Sequence, residues 1–122
     1  NRLVVKGDIS NLPFRNNAFS TLICSQVMEH ISKESFNLKE LYRVLEKDGR
    51  LILGTPDYAT FWWRFFEWFY IRLLPQAYGE GHIAPYTRRE VQQLLEEHGF
   101  KILNYKYICK GELIIKSKKV SN

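Results

Sequence analysis

Two short apolar runs open the chain. Residues 3–7 read LVVKG and residues 20–25 read STLICS. Both are rich in β-branched residues and both stop at a glycine or a polar residue, so each predicts a buried strand. Between them, NLPFRNNAF is punctuated by Pro13 and Asn16-Asn17 and predicts a loop. In SKESFNLKELYRVLEKDG the apolar positions 38, 41, 42 and 45 recur at helical spacing. Ser32 or Ser35 would cap that helix and Asp48-Gly49 would stop it. RLILGTP, residues 50–56, predicts a third strand closed by Pro56.

The second half begins with YATFWWRFFEWFYIRLLP, which is apolar nearly all round; Arg64, Glu67 and Arg72 are its charges. This aromatic helix, residues 59–74, is too short and too charged to span a bilayer, which takes about 20 mainly apolar residues. A loop, QAYGEGHIAPYT, follows. TRREVQQLLEEHGF predicts a helix with Thr87 as N-cap, Glu90 completing a capping box, and Gly99 as the stop. KILNYKYIC and ELIIKSK then predict two strands joined at Lys110-Gly111 as an antiparallel hairpin.

A strand–helix–strand unit implies a parallel sheet with a right-handed crossover. The expected fold class is therefore α/β, with parallel strands plus a C-terminal antiparallel hairpin, over one domain or less. The net charge of +5 owes much to Lys101, Lys106, Lys110, Lys116, Lys118 and Lys119. Those lysines alternate with apolar residues, as on a solvated edge strand. No RNA-binding motif accompanies them, so nucleic acid is not the expected partner. Cys24 and Cys109 lie far apart in strand-like runs without metal-ligand spacing. They read as buried free thiols of a reducing, cytoplasmic compartment. No signal peptide is apparent, and a chain that starts at Asn1 almost directly on a strand reads as a piece of a longer protein.

Candidate chemistry gathers at the predicted strand ends: Gly7-Asp8, Ser25-Gln26 with Glu29-His30 beyond, and Gly54-Thr55-Pro56. Open parallel sheets bind ligands in the crevice outside these carboxyl ends. Asp8 can accept a hydrogen bond from an amine or a hydroxyl there, or simply cap a turn with its side chain.

The stretch GDISNLPFRNNAFSTLICSQVMEHI, with LKELYRVLEKDGRLILGTPD and the later GHIAPYTRREVQQLLEEHGF, resembles the second half of a class I S-adenosylmethionine-dependent methyltransferase. The likeness is to the branch that includes ubiquinone-type and small-molecule enzymes, and it runs from about residue 3 to residue 119. It implies a Rossmann-like sheet, incomplete at its N-terminal half. It implies S-adenosylmethionine as cofactor, with Asp8 receiving the adenine amine and Ile9 flanking the ring. Leu12 and Phe14 would wall that pocket, and Ser25 and Gln26 would lie near the methionyl end. Glu29, His30 and His82 would serve the acceptor as the catalytic candidates. Ser20 stands where the family usually has an aspartate, and Asp48-Gly49 replaces a double glycine. The family's glycine-rich loop and the acidic residue that binds the ribose have no counterpart between residues 1 and 122, where the glycines form no G-x-G-x-x-G pattern.

The expected function is methyl transfer to a small or lipid-like acceptor, as part of a longer chain; the alternative is a non-catalytic interaction or membrane-associated module derived from the same fold. The helix at 59–74 would be a core helix, a lid over the substrate, or an interfacial segment touching a membrane peripherally. Exposed edges of a partial sheet would favour a homodimer.

Overall fold

The computed structural model describes residues 3–33, 36–57, 61–73, 86–108 and 111–120, without the side chains of 61–64, 66 and 67. Strand β1 (Phe19–Ser25) leads through a 3₁₀ turn (Met28–His30) to helix α1 (Leu38–Val44). Strand β2 (Leu45–Pro56), helix α2 (Phe61–Leu73), helix α3 (Arg88–Glu97), strand β3 (Phe100–Ile108) and strand β4 (Glu112–Lys119) follow. The sheet has the order β1-β2-β4-β3. β1 runs parallel to β2, and β4 is antiparallel to both β2 and β3.

Period-2 alternation decides which side chains enter the core. Along β4, Leu113, Ile115 and Ser117 are buried while Ile114, Lys116 and Lys118 are half-buried. Leu113, Ile115 and Ser117 pair with Thr55, Leu53 and Leu51 of β2, and Leu53 pairs in turn with Cys24 of β1. Leu38 and Leu41 of α1 and Val91 and Leu95 of α3 belong to the same apolar cluster. The other sheet face carries the Arg50–Lys118 and Ile52–Lys116 pairs, and Ile23 there is 73 % exposed.

The caps explain the helix limits. Thr87 and Glu90 form the reciprocal capping box at the start of α3. Gly99 follows with φ +84, a conformation only glycine adopts at ease, and a Cβ there would meet the Tyr42 ring at 2.9 Å. α1 is capped by Asn37, whose Oδ1 accepts from Lys39 N at 2.8 Å, rather than by Ser32; Ser35 lies outside the described residues.

Three expectations need correction. Residues 3–7 form no strand: Leu3, Val4 and Val5 are 98 %, 86 % and 58 % exposed. Among the described residues nothing pairs with this run. Helix α1 ends at Val44, before Asp48-Gly49, because Leu45 is fully buried and already pairs with Phe19. The Asp-Gly turn is real, but it lies inside β2. There the register jumps from Phe19↔Leu45 to Thr21↔Arg50, and Asp48 takes φ +63. The C-terminal lysines do not all decorate an edge. Lys116, Lys118 and Lys119 sit on the interior strand β4, and Lys119 is buried, its Nζ donating to Tyr42 O at 2.8 Å and Leu45 O at 2.7 Å. On α2, Phe65, Trp68, Phe69, Tyr70 and Ile71 are all exposed. Among the described residues, no helix is long and apolar enough to cross a membrane.

Candidate functional site

Because β1 and β2 are parallel, Ser25 and Pro56 leave the sheet at one edge. Two antiparallel pairings bring β3 back to the same direction, so Ile108 ends there too. At the tip of β1, Gln26 N donates to Gly54 O at 3.0 Å. Gln26 has φ +57, unusual for a residue with a side chain. Its Nε2 reaches over β2 to Glu112 Oε1 at 2.9 Å. Gly54 packs closely against this tip: a Cβ there would lie 3.0 Å from Ser25 Oγ. Ser25 and Gln26 themselves are exposed.

The 3₁₀ turn after that tip turns Glu29 inward and leaves His30 outside. Glu29 is fully buried, and among the described residues neither carboxylate oxygen has a hydrogen-bond partner. His30 Nε2 lies 3.7 Å from Glu29 Oε1, too far for a hydrogen bond, and its side chain is half exposed. Burial, and secondly the Glu29 charge, pushes the Cys24 thiol up to about 11. Thr55 Oγ1, near the end of β2, is a second buried oxygen without a partner. Buried polar atoms are nearly always satisfied, so orphans at a strand tip point to an absent ligand.

Asp8, Ile9 and Leu12 are anchored differently. Asp8 is exposed, and its Oδ1 accepts from Ser10 Oγ at 2.6 Å and from Ser10 N at 2.8 Å. Those two bonds, the hydroxyl first, hold its carboxyl below the usual carboxylate range. The side chain thus does cap a turn, while among the described residues Oδ2 accepts nothing. Ile9 and Leu12 pack against the core cluster, and Leu12 N donates to Glu40 Oε2 on α1 at 2.8 Å. Phe14 meets Phe19 edge-on at 4.9 Å. The structure therefore joins Ser25, Gln26 and Glu29 to β2, and ties Ile9 and Leu12 to α1. His82 lies outside the described residues.

Sequence reasoning passed over Asp57. It follows Pro56 at the strand tip, is buried, and accepts from Tyr107 Oη at 2.7 Å. Burial first, then Asp57, pushes the Tyr107 phenol up to about 12. Arg88 stacks over the neighbouring Tyr105 ring and donates to its hydroxyl. The signal available was the aspartate directly after GTP; its tyrosine partner, 50 residues later, required the sheet order.

These features match known proteins. A family model described as "Methyltransferase domain" matches residues 1–53. Demethylmenaquinone methyltransferase of Symbiobacterium thermophilum is 25 % identical over 89 % of this chain and 51 % of its own length. Both comparisons bear out the resemblance to class I S-adenosylmethionine-dependent methyltransferases. The fold agrees. A Thermotoga maritima S-adenosylmethionine-dependent methyltransferase, described as a possible histamine N-methyltransferase, superposes with TM-score 0.75 at 22 % identity. That match covers 96 % of this chain and 64 % of the other. The 1,6-didemethyltoxoflavin-N1-methyltransferase of Burkholderia thailandensis, solved with 1,6-didemethyltoxoflavin and S-adenosylhomocysteine, gives TM-score 0.72 at 14 % identity. It covers 96 % of this chain and 50 % of that structure. This chain thus spans about half the length of the demethylmenaquinone enzyme, and the cofactor of the proteins it resembles is S-adenosylmethionine.

Proposed function

We propose that this chain takes part in S-adenosylmethionine-dependent methyl transfer to a small or lipid-like acceptor. The observation that carries the proposal is the fully buried, unpartnered carboxylate of Glu29 beside the shared tips of β1 and β2. A carboxyl group kept there without a partner costs about 1–3 kcal/mol. That cost is understandable if a ligand supplies the missing donor.

The residues present fit the donor in part. Asp8 Oδ2 is open to an exocyclic amine, with Ile9 and Leu12 offering apolar surface to an adenine. Gly54 keeps the tip beside Ser25 free of a side chain. When bound, S-adenosylmethionine supplies an electrophilic methyl on a sulfonium. What the chain's own residues add is alignment and a proton acceptor. With the donor bound, Glu29 would take the proton that the acceptor's heteroatom gives up on methylation. His30, half exposed at 3.7 Å, stands next to that carboxylate on the outer side. His82 is kept as a candidate for the acceptor side.

The test is calorimetric titration of this chain with S-adenosylhomocysteine. Submillimolar binding by the chain, or by a version extended upstream, supports the proposal. Failure of both leaves a non-catalytic module of this fold. The exposed aromatic surface of α2, where Arg72 lies 5.2 Å over the Trp68 ring, favours an apolar acceptor tail or peripheral contact with a membrane. Flotation with liposomes separates these two: Trp68→Ala with Phe69→Ala abolishes co-flotation only in the membrane case.

A further inference from the structure

We propose that Glu112 is a positioning residue. It locks the Gln26 amide with its oxygen toward the open strand-tip edge. That edge then selects a ligand group that donates a hydrogen bond, an ammonium or N–H, over one that accepts.

The argument begins with the two ends of an amide. They have nearly the same shape and opposite hydrogen-bonding character, so the network decides which way the group points. A carboxylate can only accept. Glu112 Oε1 at 2.9 Å therefore takes the Gln26 NH2 and leaves Gln26 Oε1 facing away from it. Among the described residues, nothing donates to that oxygen. The backbone reinforces the arrangement. Gln26 is held in the left-handed region, φ +57, by its bond to Gly54 O, and strained residues of this kind concentrate at ligand sites. The clasp spans two strand spacings: Gln26 follows β1, Glu112 opens β4, and Pro56 of β2 lies between as the register partner of Glu112. An outward amide oxygen backed by a carboxylate makes this corner negative, which suits an ammonium.

This inference rests on the proposed function, under which the selected group is the α-ammonium of the donor's methionyl tail. Glu112→Lys turns the clasp around, because an ammonium only donates and must face the amide oxygen. The NH2 then points outward. Gln26→Glu combined with Glu112→Lys restores an outward acceptor and keeps the clasp as an ion pair.

The experiment compares two probes by calorimetry: S-adenosylhomocysteine, which carries the amino-acid tail, and 5′-methylthioadenosine, which lacks it. Expected is a weakening of about tenfold for the first probe in Glu112→Lys. The second probe should stay within about twofold, and the double variant should recover the first. The Gln26 side-chain amide resonances should move in Glu112→Lys without ligand, while the melting temperature stays near that of the wild type. If both probes bind the wild type and Glu112→Lys weakens them equally or not at all, the positioning role is overturned and the methyltransferase reading stands. If neither this chain nor a version extended upstream binds either probe, both fall.

Discussion

Glu40 and Arg43, one turn apart on α1, form an ion pair at 2.8 Å that grips the loop leading into β1. Arg43 Nη1 donates to Phe14 O at 2.7 Å and to Asn16 Oδ1 at 2.9 Å, and its Nη2 donates to Leu12 O at 3.0 Å. Glu40 Oε2 accepts Leu12 N in return. Two side chains thus fix the stretch that presents Ile9 and Leu12.

Arg43→Lys should release that loop. A lysine has one charged nitrogen where the guanidinium spreads its donors over a rigid fork. The expected result is a fall of about 5 °C in melting temperature. Faster amide hydrogen exchange at Leu12 should accompany it, with no change at Val91 in α3. Unchanged exchange at Leu12 would mean that the clamp holds nothing.

The same pair sets an acid limit. The Arg43 side chain, then the Leu12 amide, brings the Glu40 carboxyl from 4.5 down to about 2. A carboxyl depressed in the folded state contributes stability that is complete above its unfolded value and is lost as pH falls through the folded one. The clamp should therefore weaken between about pH 4.5 and pH 2. Melting curves of the wild type and Glu40→Gln should differ most above that window and converge at its lower end.

Much of this arrangement was readable from residue order alone. Thr87, Glu90 and Gly99 announced α3 because capping is local chemistry. The parallel pairing of β1 with β2 followed from one helix between two apolar runs. What the sequence hid was set by pairing at a distance. Residues 3–7 have a strand's composition yet pair with nothing among the described residues, and Leu3, Val4 and Val5 are exposed. Leu45 sits at helical spacing but is claimed by Phe19 and the core. The interior place of β4 rests on a sheet order that no local pattern shows, and it makes Lys119 a buried cation. At the site, Glu29 and Gln26 stood out as polar residues past a strand. Gly54 was marked there too, but Glu112, the side-chain partner of Gln26, was not, because its role exists only across strands.

Glu29→Leu separates binding from stability. A carboxyl group with no donor in the core destabilises the ligand-free fold, and a similar-sized apolar side chain removes that penalty. The substitution should raise stability by about 1–3 kcal/mol in urea unfolding. The position should at the same time become useless for methyl transfer, the trade seen where a site is kept at a cost to the fold. A loss of stability on this substitution would show that Glu29 is held by the core itself and serves it.

Cys24 offers a probe of the same neighbourhood. Its thiol is 7 % exposed, and its shift from 9.0 to about 11 keeps it protonated well into the alkaline range. Only the thiolate reacts, so at pH 8 a rise of that size leaves about a hundredth of the thiolate an ordinary cysteine would carry. In a Cys109→Ser background, a disulfide reagent should label Cys24 far more slowly in the folded chain than in urea. The raised value also fixes a sign: the stability it reflects is complete below 9.0 and is lost as pH rises toward about 11. Because burial is the larger cause and the Glu29 charge the smaller, Glu29→Gln should speed labelling at pH 8 modestly and leave most of the protection in place. Rapid labelling of the folded wild type at pH 8 would place Cys24 outside the core and remove the buried setting on which the role of Glu29 depends.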